Sequence, residues 1–257
     1  MRSLLVTTLA IVLTLTGCAA AKPPSAPSPE KLRVEVLGTL PHDTSAFTEG
    51  LEFAGETLYE GTGLAGKSFV TAGAPGQRPR VRADLPAPLF GEGITVLGPA
   101  LWQLTWQDGV AIERDPATLA ERRRVPYQGE GWGLCHLGDE LVMSDGSSKL
   151  TFRDPRTFAE THSVTAHAGT RAYGSLNELE CAGGAVYANV FQTDRIVRID
   201  PATGVVTAEI DASGLLTEAE RALADVLNGI AAIPGTGEFL LAGKLWPKTF
   251  RVKLVPA

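Results

Sequence analysis

The chain has 257 residues and a formal net charge of −6, and 44% of its residues are hydrophobic. A net negative charge argues against a nucleic-acid-binding surface, which needs a basic patch. The length and apolar content suffice for a single domain with a large buried core, which we place at residues 31–257.

The first thirty residues are predicted to lie outside this domain. Residues 1–17 have the pattern of a signal peptide whose apolar run is too short for a stable membrane span. Residues 15–18, Leu-Thr-Gly-Cys, resemble the bacterial lipoprotein box, so we expect Cys18 to be lipidated and the proline-rich residues 18–30 to form an extended tether. The protein is then expected in the cell envelope, anchored by lipid. The alternative is an ordinary cleaved signal peptide and a secreted protein.

The rest of the chain carries an internal repeat. Five stretches follow one pattern of a polar or aromatic residue, a small residue and an apolar residue, then a turn and a second strand. They begin at Glu49, Glu92, Trp132, Asn177 and Asn228. These starts are 43, 40, 45 and 51 residues apart, and a period of about 40 to 50 residues built from short strands is typical of β-propeller blades.

The sequence therefore predicts an all-β fold, a five-bladed β-propeller. An Asp-Pro-x-Thr turn recurs at residues 115–118, 154–157 and 200–203, between the third and fourth strands of successive blades. The last blade lacks an outer strand of its own. We expect the strand predicted at residues 32–36 to supply it, which leaves no open sheet edge at the seam.

Two local features add to this outline. Thr217 and Glu220 form a capping box, which predicts a short helix in the loop before the fifth blade. Cys135 and Cys181 lie on the first strands of adjacent blades, where a disulfide is possible in an oxidising compartment. They are offset by three and four residues from their blade starts, so their side chains are expected to leave opposite faces. Buried free thiols are therefore favoured over a disulfide.

In a propeller, equivalent positions on the innermost strands form a ring around a central channel. The ring predicted here combines two acids, an indole and two amides: Glu49, Glu92, Trp132, Asn177 and Asn228. A second set of equivalent positions lies on the second strands: Gly63, Trp106, Gly146, Phe191 and Lys244. With Phe47 and Phe90, these residues predict an aromatic cup that contains an acid and a lysine. The alternative is that the polar residues satisfy backbone groups and the aromatic residues belong to the core.

Eight motifs of the chain resemble, in order, those of the metal-independent glutaminyl-peptide cyclotransferases of plants and bacteria, which are five-bladed propellers. The motifs are residues 46–51, 90–95, 103–107, 129–134, 176–180, 192–196, 226–231 and 243–247. The resemblance implies a reaction in which the free amine of an amino-terminal glutamine attacks its own γ-carboxamide, closes a pyroglutamyl ring and releases ammonia. It implies peptides or proteins with amino-terminal glutamine as substrates, no cofactor and no metal, and we expect a monomer.

Carried onto matching positions, the resemblance implies that Glu92 is the general acid and base. Lys244 and Asn177 are expected to stabilise the negative charge of the tetrahedral intermediate. Five aromatic residues are expected to wall the cup: Phe47, Phe90, Trp106, Trp132 and Phe191. Asn228 is expected either to orient Glu92 or to complete the ring.

The chain departs from the family pattern at Glu49, usually glutamine, and at Phe191, usually tryptophan. A second carboxylate near Glu92 is expected to raise one of the two pKa values and shift the pH optimum. Two other functions remain open. One is a calcium-dependent propeller hydrolase such as a lactonase, because the ring acids and amides are oxygen ligands suited to calcium. The other is a non-catalytic envelope lipoprotein that binds partners through the propeller face.

Overall fold

The computed structural model describes residues 28–257, and it confirms the predicted all-β class. The predicted signal peptide, Cys18 and most of the predicted tether lie outside these residues. The described part begins with strand β1 (Glu30–Pro41), after which the strands fall into five successive units.

Each of the first three units is a separate antiparallel sheet of four strands joined in chain order. Unit 1 consists of β2 (Thr48–Ala54), β3 (Thr57–Thr62), β4 (Phe69–Gly73) and β5 (Val81–Asp84). Unit 2 consists of β6 (Gly91–Leu97), β7 (Ala100–Thr105), β8 (Val110–Arg114) and β9 (Glu121–Pro126). Unit 3 consists of β10 (Leu134–Leu137), β11 (Glu140–Ser144), β12 (Lys149–Arg153) and β13 (Glu160–Thr165). A two-stranded hairpin follows, formed by β14 (His167–Ala168) and β15 (Arg171–Ala172).

Units 4 and 5 share one eight-stranded sheet. Unit 4 consists of β16 (Leu176–Ala182), β17 (Ala185–Val190), β18 (Arg195–Ile199) and β19 (Val206–Asp211). Unit 5 consists of β20 (Leu227–Ile233), β21 (Glu238–Gly243), β22 (Lys248–Pro256) and β1. The predicted pairing of the two chain ends is confirmed, because β1 runs antiparallel to β22. The strand is longer than predicted, and its first residues also pair in parallel with β19, which joins the two units.

The burial of the strands explains their composition. First strands such as β6 are covered on both faces and contain small and apolar residues. The fourth strands β9 and β13 are largely exposed, and β9 carries three consecutive arginines, which suits an edge that faces water. The first strands also contact one another in a closed circuit: β2 with β6, β6 with β10, β10 with β16, β16 with β20, and β20 with β2.

The predicted local features are present. In each Asp-Pro turn the aspartate accepts a hydrogen bond from the N–H of the threonine three residues later, at 2.8 to 2.9 Å. Helix α1 (Glu218–Arg221) begins after Thr217, whose side chain forms the predicted capping box with Glu220. In residues 28–257, no helix has the length and apolar character needed to cross a membrane.

The prediction of free thiols was wrong, because Cys135 and Cys181 form a disulfide with a Cα–Cα distance of 5.5 Å. Units 3 and 4 pack face to face, and Cys135 belongs to the apolar cluster that lies between them. When two sheets stack in this way, a side chain on one face of the first sheet meets the opposite face of the second. The offset that sends the two thiols to opposite faces of their own sheets therefore brings them together.

Candidate functional site

The site is built on a recurrent irregularity of the first strands. The antiparallel register shifts between Thr48 and Gly50, between Gly91 and Ile94, between Leu176 and Leu179, and between Leu227 and Ile230. Such a β-bulge frees backbone groups from the ladder and redirects the side chain that it carries. Four of the five predicted ring residues lie in these bulges: Glu49, Glu92, Asn177 and Asn228.

The small residue after the ring position allows neighbouring units to approach closely. The N–H of Gly93 in unit 2 donates a hydrogen bond of 2.8 Å to the carbonyl oxygen of Trp132, before unit 3. A Cβ atom on Gly93 would lie 2.5 Å from the backbone nitrogen of Leu134, which is too close for any side chain. Glycine at this position of unit 2 is therefore required by the contact with unit 3.

Four ring residues, three residues of the second set and Phe90 line a cavity of about 270 Å³. Its lining residues are Glu49, Phe90, Glu92, Trp106, Trp132, Asn177, Phe191 and Lys244. This volume is slightly below the range of roughly 300–1,000 Å³ typical of small-molecule sites. The cavity therefore suits one amino-acid side chain rather than an extended ligand.

Two predicted site residues lie just behind the lining. Phe47 is beneath the ammonium group of Lys244, with 4.6 Å between Nζ and the ring centroid. Asn228 is completely buried, and its Nδ2 donates to Glu49 Oε2 at 2.9 Å and to the carbonyl oxygen of Thr48 at 3.0 Å. Asn228 therefore orients Glu49 rather than Glu92.

A buried lysine–glutamate pair forms part of the cavity floor. Lys244 Nζ donates to Glu49 Oε1 at 2.7 Å, and both side chains are buried. The ammonium group also lies 5.6 Å from the ring centroid of Phe191. Lys244 is therefore held by one carboxylate and by two aromatic faces, which attract a cation.

The carboxyl group of Glu92 lies beside that of Glu49, close enough for each to influence the pKa of the other. Glu92 Oε2 is buried without a hydrogen-bond partner in the protein. Asn177 Oδ1, also in the cavity lining, is buried without a partner as well. Buried polar atoms are nearly always paired in folded proteins, so two unpaired oxygens in one cavity indicate a place for a polar ligand.

The pair of carboxyl groups has a strong tendency to retain a proton. Burial raises the pKa of Glu49 to about 7, although the Lys244 ammonium opposes the rise. Burial, followed by the adjacent Glu49 charge, raises the pKa of Glu92 well above its usual range. This direction agrees with the expectation from the sequence that Glu49, as a second carboxylate near Glu92, raises one of the two pKa values. At neutral pH the two carboxyl groups therefore share a proton, as closely spaced acids do.

Aromatic rings form the walls. Phe90 packs edge-on against Phe47 with 6.3 Å between centroids, and Trp106 lies 5.6 Å from Phe90. On the other side, Trp132 meets Phe191 at 5.3 Å with nearly perpendicular planes. Trp106 is 36% exposed, whereas Glu92 is 5% exposed. The cavity therefore leads from an apolar rim to a charged floor.

Two glutamates have contacts that the sequence analysis did not assign. Glu178 is buried, and its carboxylate accepts hydrogen bonds from the N–H groups of Leu51 at 3.1 Å and Ile230 at 2.9 Å. It therefore links units 4, 1 and 5. The sequence does contain one indication of this role: the fourth stretch has an acid at the position where the other four stretches have glycine. Glu130 accepts hydrogen bonds from two indoles of the walls, and no pattern in the sequence indicated this role.

The floor does not resemble a calcium site. The Lys244 ammonium contacts Glu49 directly, where it would repel a bound cation. Among the residues that the structure describes, no three His, Cys, Asp or Glu side chains are grouped to hold a metal ion. The ring acids are partnered by a lysine, an amide and each other.

An all-β fold with two adjacent buried carboxyl groups on the floor of an aromatic cavity is an arrangement suited to acid–base chemistry on a small group. The comparisons with known proteins are more specific: the chain belongs to the glutamine cyclotransferase family, whose sequence model matches residues 9–254. It is 38% identical over 231 residues to a glutaminyl-peptide cyclotransferase of Arabidopsis thaliana, covering 87% of this chain and 72% of the plant protein. It is also similar to the crystal structure of Myxococcus xanthus glutaminyl cyclase, with 38% identity and a TM-score of 0.81. That similarity covers 90% of this chain and all of the other.

Proposed function

We propose that this protein converts the amino-terminal glutamine of peptides and proteins to pyroglutamate and releases ammonia, with Glu92 as the proton-transfer group. Family membership supports the reaction. The observation that carries the role of Glu92 is its buried, unpartnered Oε2, which lines the cavity beside Glu49 and Lys244. The aromatic walls favour the compact conformer in which the amine reaches the carboxamide. Because both reacting groups belong to one residue, positioning supplies much of the catalysis.

The proposed proton movements conserve charge and atoms. The reactive form of the pair is the one in which Glu92 is ionised. The α-amine nitrogen attacks the γ-carboxamide carbon, and Glu92 takes a proton from that nitrogen as the C–N bond forms. Glu92 then returns the proton to the amide nitrogen, the original C–N bond breaks and ammonia leaves. A carboxyl group with a raised pKa is suited to both steps, because it binds a proton near neutral pH and still releases it.

The negative charge that develops on the carboxamide oxygen needs donors in place. Lys244 is fixed on the floor by Glu49 and two aromatic rings, and the Asn177 amide lines the same cavity. We assign both to stabilising the intermediate, since preorganised donors act strongly in a buried site. Glu49, oriented by Asn228, holds Lys244 and shares the proton of Glu92.

The arrangement of the units supports a five-bladed propeller as the scaffold. The closed circuit of first-strand contacts and the joining of β1 to β22 are the features that such a ring requires. An experimental structure in which β2 and β20 lie apart would contradict this part of the proposal.

The test is ammonia release from a short peptide with amino-terminal glutamine, measured with the full chain. We expect Glu92→Gln to lose at least about 100-fold in kcat, the lower end of what general acid–base catalysis contributes. The matched control is Glu180→Gln, which alters another buried carboxyl group with a raised pKa that does not line the cavity. The control is expected to retain activity. Far-UV circular dichroism and the unfolding midpoint establish that both variants are folded.

Two outcomes correspond to the other functions. Activity that disappears with a chelator and returns with calcium would indicate a calcium-dependent enzyme. No ammonia release from folded protein with any glutaminyl peptide would indicate a scaffold without this catalytic role.

The amino-terminal segment supports a proposal about location. We assign residues 1–17 to a lipoprotein signal peptide and Cys18 to lipidation, which place the protein in the cell envelope with residues 18–30 as its tether. Incorporation of a clickable fatty acid by the wild type, and its loss in Cys18→Ala, is the expected result. We also propose a monomer, which a concentration-independent mass in solution would support.

A further inference from the structure

The walls of the cavity include two indoles whose N–H groups meet at one carboxylate outside the lining. Trp106 Nε1 donates to Glu130 Oε2 at 2.8 Å, and Trp132 Nε1 donates to the same oxygen at 2.9 Å. The two indole nitrogens are therefore within two hydrogen-bond lengths of each other. Gln107 Nε2 donates to the other carboxylate oxygen at 2.8 Å.

This arrangement spans two units of the fold. Trp106 follows β7 of unit 2, whereas Glu130 and Trp132 precede β10 of unit 3. A backbone hydrogen bond of 2.9 Å from the Gly131 N–H to the Trp106 carbonyl oxygen fixes the same junction. The side-chain and backbone contacts together set the distance between the two rings.

The chemistry of the three donors explains why this residue is a glutamate. Two indole N–H groups and one amide N–H converge on it, and a carboxylate has about four lone-pair sites and no donor of its own. Hydrogen bonds to an ionised acceptor are also stronger than those to a neutral one. These donors, with Trp132 the largest contributor, lower the pKa of Glu130, so it remains ionised at neutral pH.

Trp106 is the wall residue that most needs such a restraint. It is one of only four large hydrophobic side chains in residues 28–257 that are substantially exposed, so packing alone holds it weakly. Its opposite neighbour in the cavity is Phe90, which offers an aromatic contact but no hydrogen bond. The hydrogen bond to Glu130 is therefore what keeps the Trp106 ring turned toward the cavity.

We propose that Glu130 is a positioning residue that holds Trp106 and Trp132 as a rigid wall against the glutaminyl side chain. The expected effect on KM rests on the proposed function, whereas the hydrogen bonds of Glu130 to the two indoles do not depend on it. Loss of this carboxylate leaves the floor residues in place and loosens the aromatic wall, and it also removes the smallest of the causes that raise the pKa of Glu92. The cost is therefore expected mainly in substrate binding.

The first experiment compares three variants of the full chain in ammonia release. Glu130→Ala removes the acceptor and is expected to raise KM about tenfold, with kcat changed less than threefold. Glu130→Gln retains an oxygen for the indoles and is expected to remain within about threefold of wild type in KM. The matched control is Glu209→Ala, which removes a carboxylate that accepts hydrogen bonds from Lys31 and Tyr173, none of which lines the cavity. It is expected to leave KM unchanged.

The second experiment observes the indoles directly by ¹H–¹⁵N correlation spectroscopy. The chain has four tryptophans and hence four indole N–H signals, and Trp106→Phe and Trp132→Phe assign two of them. Glu130→Ala is expected to shift both assigned signals and leave the other two in place, while Glu209→Ala shifts none. This readout needs no substrate. If the wild type releases no ammonia, the proposed function fails, yet the indole signals still decide the contact.

The proposal is overturned if the two assigned signals do not move in Glu130→Ala. It is also overturned if they move while KM of an active enzyme remains within twofold of wild type, because the contact then has no role in binding. A tenfold rise in KM that Glu209→Ala shares would show a general loss of structure instead of a local loosening, and would likewise reject it.

Discussion

Replacing Glu49 by glutamine is expected to move the acid limb of the pH–activity profile to lower pH. In the wild type, Glu92 titrates beside a second carboxyl group whose pKa is raised to about 7. The Glu49 charge is itself one of the causes that raise the pKa of Glu92. In Glu49→Gln that repulsion is absent, and the Lys244 ammonium faces a single remaining carboxyl group.

The size of the shift follows from these contacts. An opposite charge within a few ångströms lowers a carboxyl pKa by about one to three units. We therefore expect the acid limb of the variant to lie at least about one pH unit below that of the wild type. The peptide amine has its own pKa of about 7.7 to 8.0 and limits activity in both enzymes. The ratio of kcat/KM in the variant to that in the wild type cancels this contribution.

The assay is ammonia release from one glutaminyl peptide between pH 5.5 and 8.5, with both enzymes in the same buffers. The ratio is expected to rise at least about tenfold as the pH falls through this range, because one pKa unit is a factor of ten in ionisation. Asn228→Ala is a useful companion variant, since it removes the hydrogen bond that orients Glu49 but keeps both carboxyl groups. A ratio that is constant across the range would refute the argument that Glu49 controls the titration of Glu92.

The same substitution has a consequence for stability. The pKa of Glu49 is higher in the folded state than its ordinary value of 4.5, so protonation of Glu49 contributes to the free energy of unfolding. This contribution is fully present below pH 4.5 and is lost as the pH rises to about 7. The rise corresponds to about 3 kcal/mol. Between pH 4.5 and pH 7.5 the free energy of unfolding is expected to fall further in the wild type than in Glu49→Gln, and the difference between the two falls is expected to be about 3 kcal/mol. Parallel curves from denaturant titrations would contradict this.

Three further predictions concern the floor and the junctions between units. Lys244→Met breaks a buried pair and is expected to abolish most ammonia release and to cost about 3 kcal/mol at pH 8. The cost should be smaller at pH 6, where Glu49 is protonated, and equal losses in denaturant titrations would be inconsistent with the pairing. Replacing Cys135 and Cys181 together by serine opens a loop with a sequence separation of 46 residues. It is expected to lower the free energy of unfolding by about 4 kcal/mol, and an unchanged midpoint under non-reducing conditions would argue against the disulfide. Glu178→Gln leaves one of the two backbone N–H groups facing an amide N–H. The free energy of unfolding, measured with a denaturant, is expected to fall by about 1–3 kcal/mol. An unchanged free energy would show that neither N–H group needs the carboxylate.

Much of the site was predictable because equivalent positions of a repeat converge. The prediction that Glu92, Asn177 and Lys244 share one cavity needed only the spacing of the stretches and the position of each residue within its stretch. The pairing of β1 with β22 followed from the missing outer strand of the last unit, since an unpaired sheet edge is unfavourable. The short helix at Glu218–Arg221 followed from a local capping box.

Other contacts depend on distances that no repeat specifies. The reasoning from strand faces separated Cys135 from Cys181, because it treated each sheet alone and not as one of a stack. Glu130 contacts both indoles because, in the folded chain, the loop before unit 3 lies against the end of β7. The sequence placed Lys244 near Glu92, whereas in the folded chain its direct partner is Glu49, 195 residues away.

The sequence by itself determined the all-β class, the order of the strands and the set of side chains around the cavity, because local polarity patterns and turn residues encode them. Only the tertiary structure decided which groups are partners and which protons they hold. Partner choice depends on how the units stack, and the shared proton of Glu49 and Glu92 depends on the burial of both carboxyl groups. Both are properties of the assembled chain rather than of any one stretch.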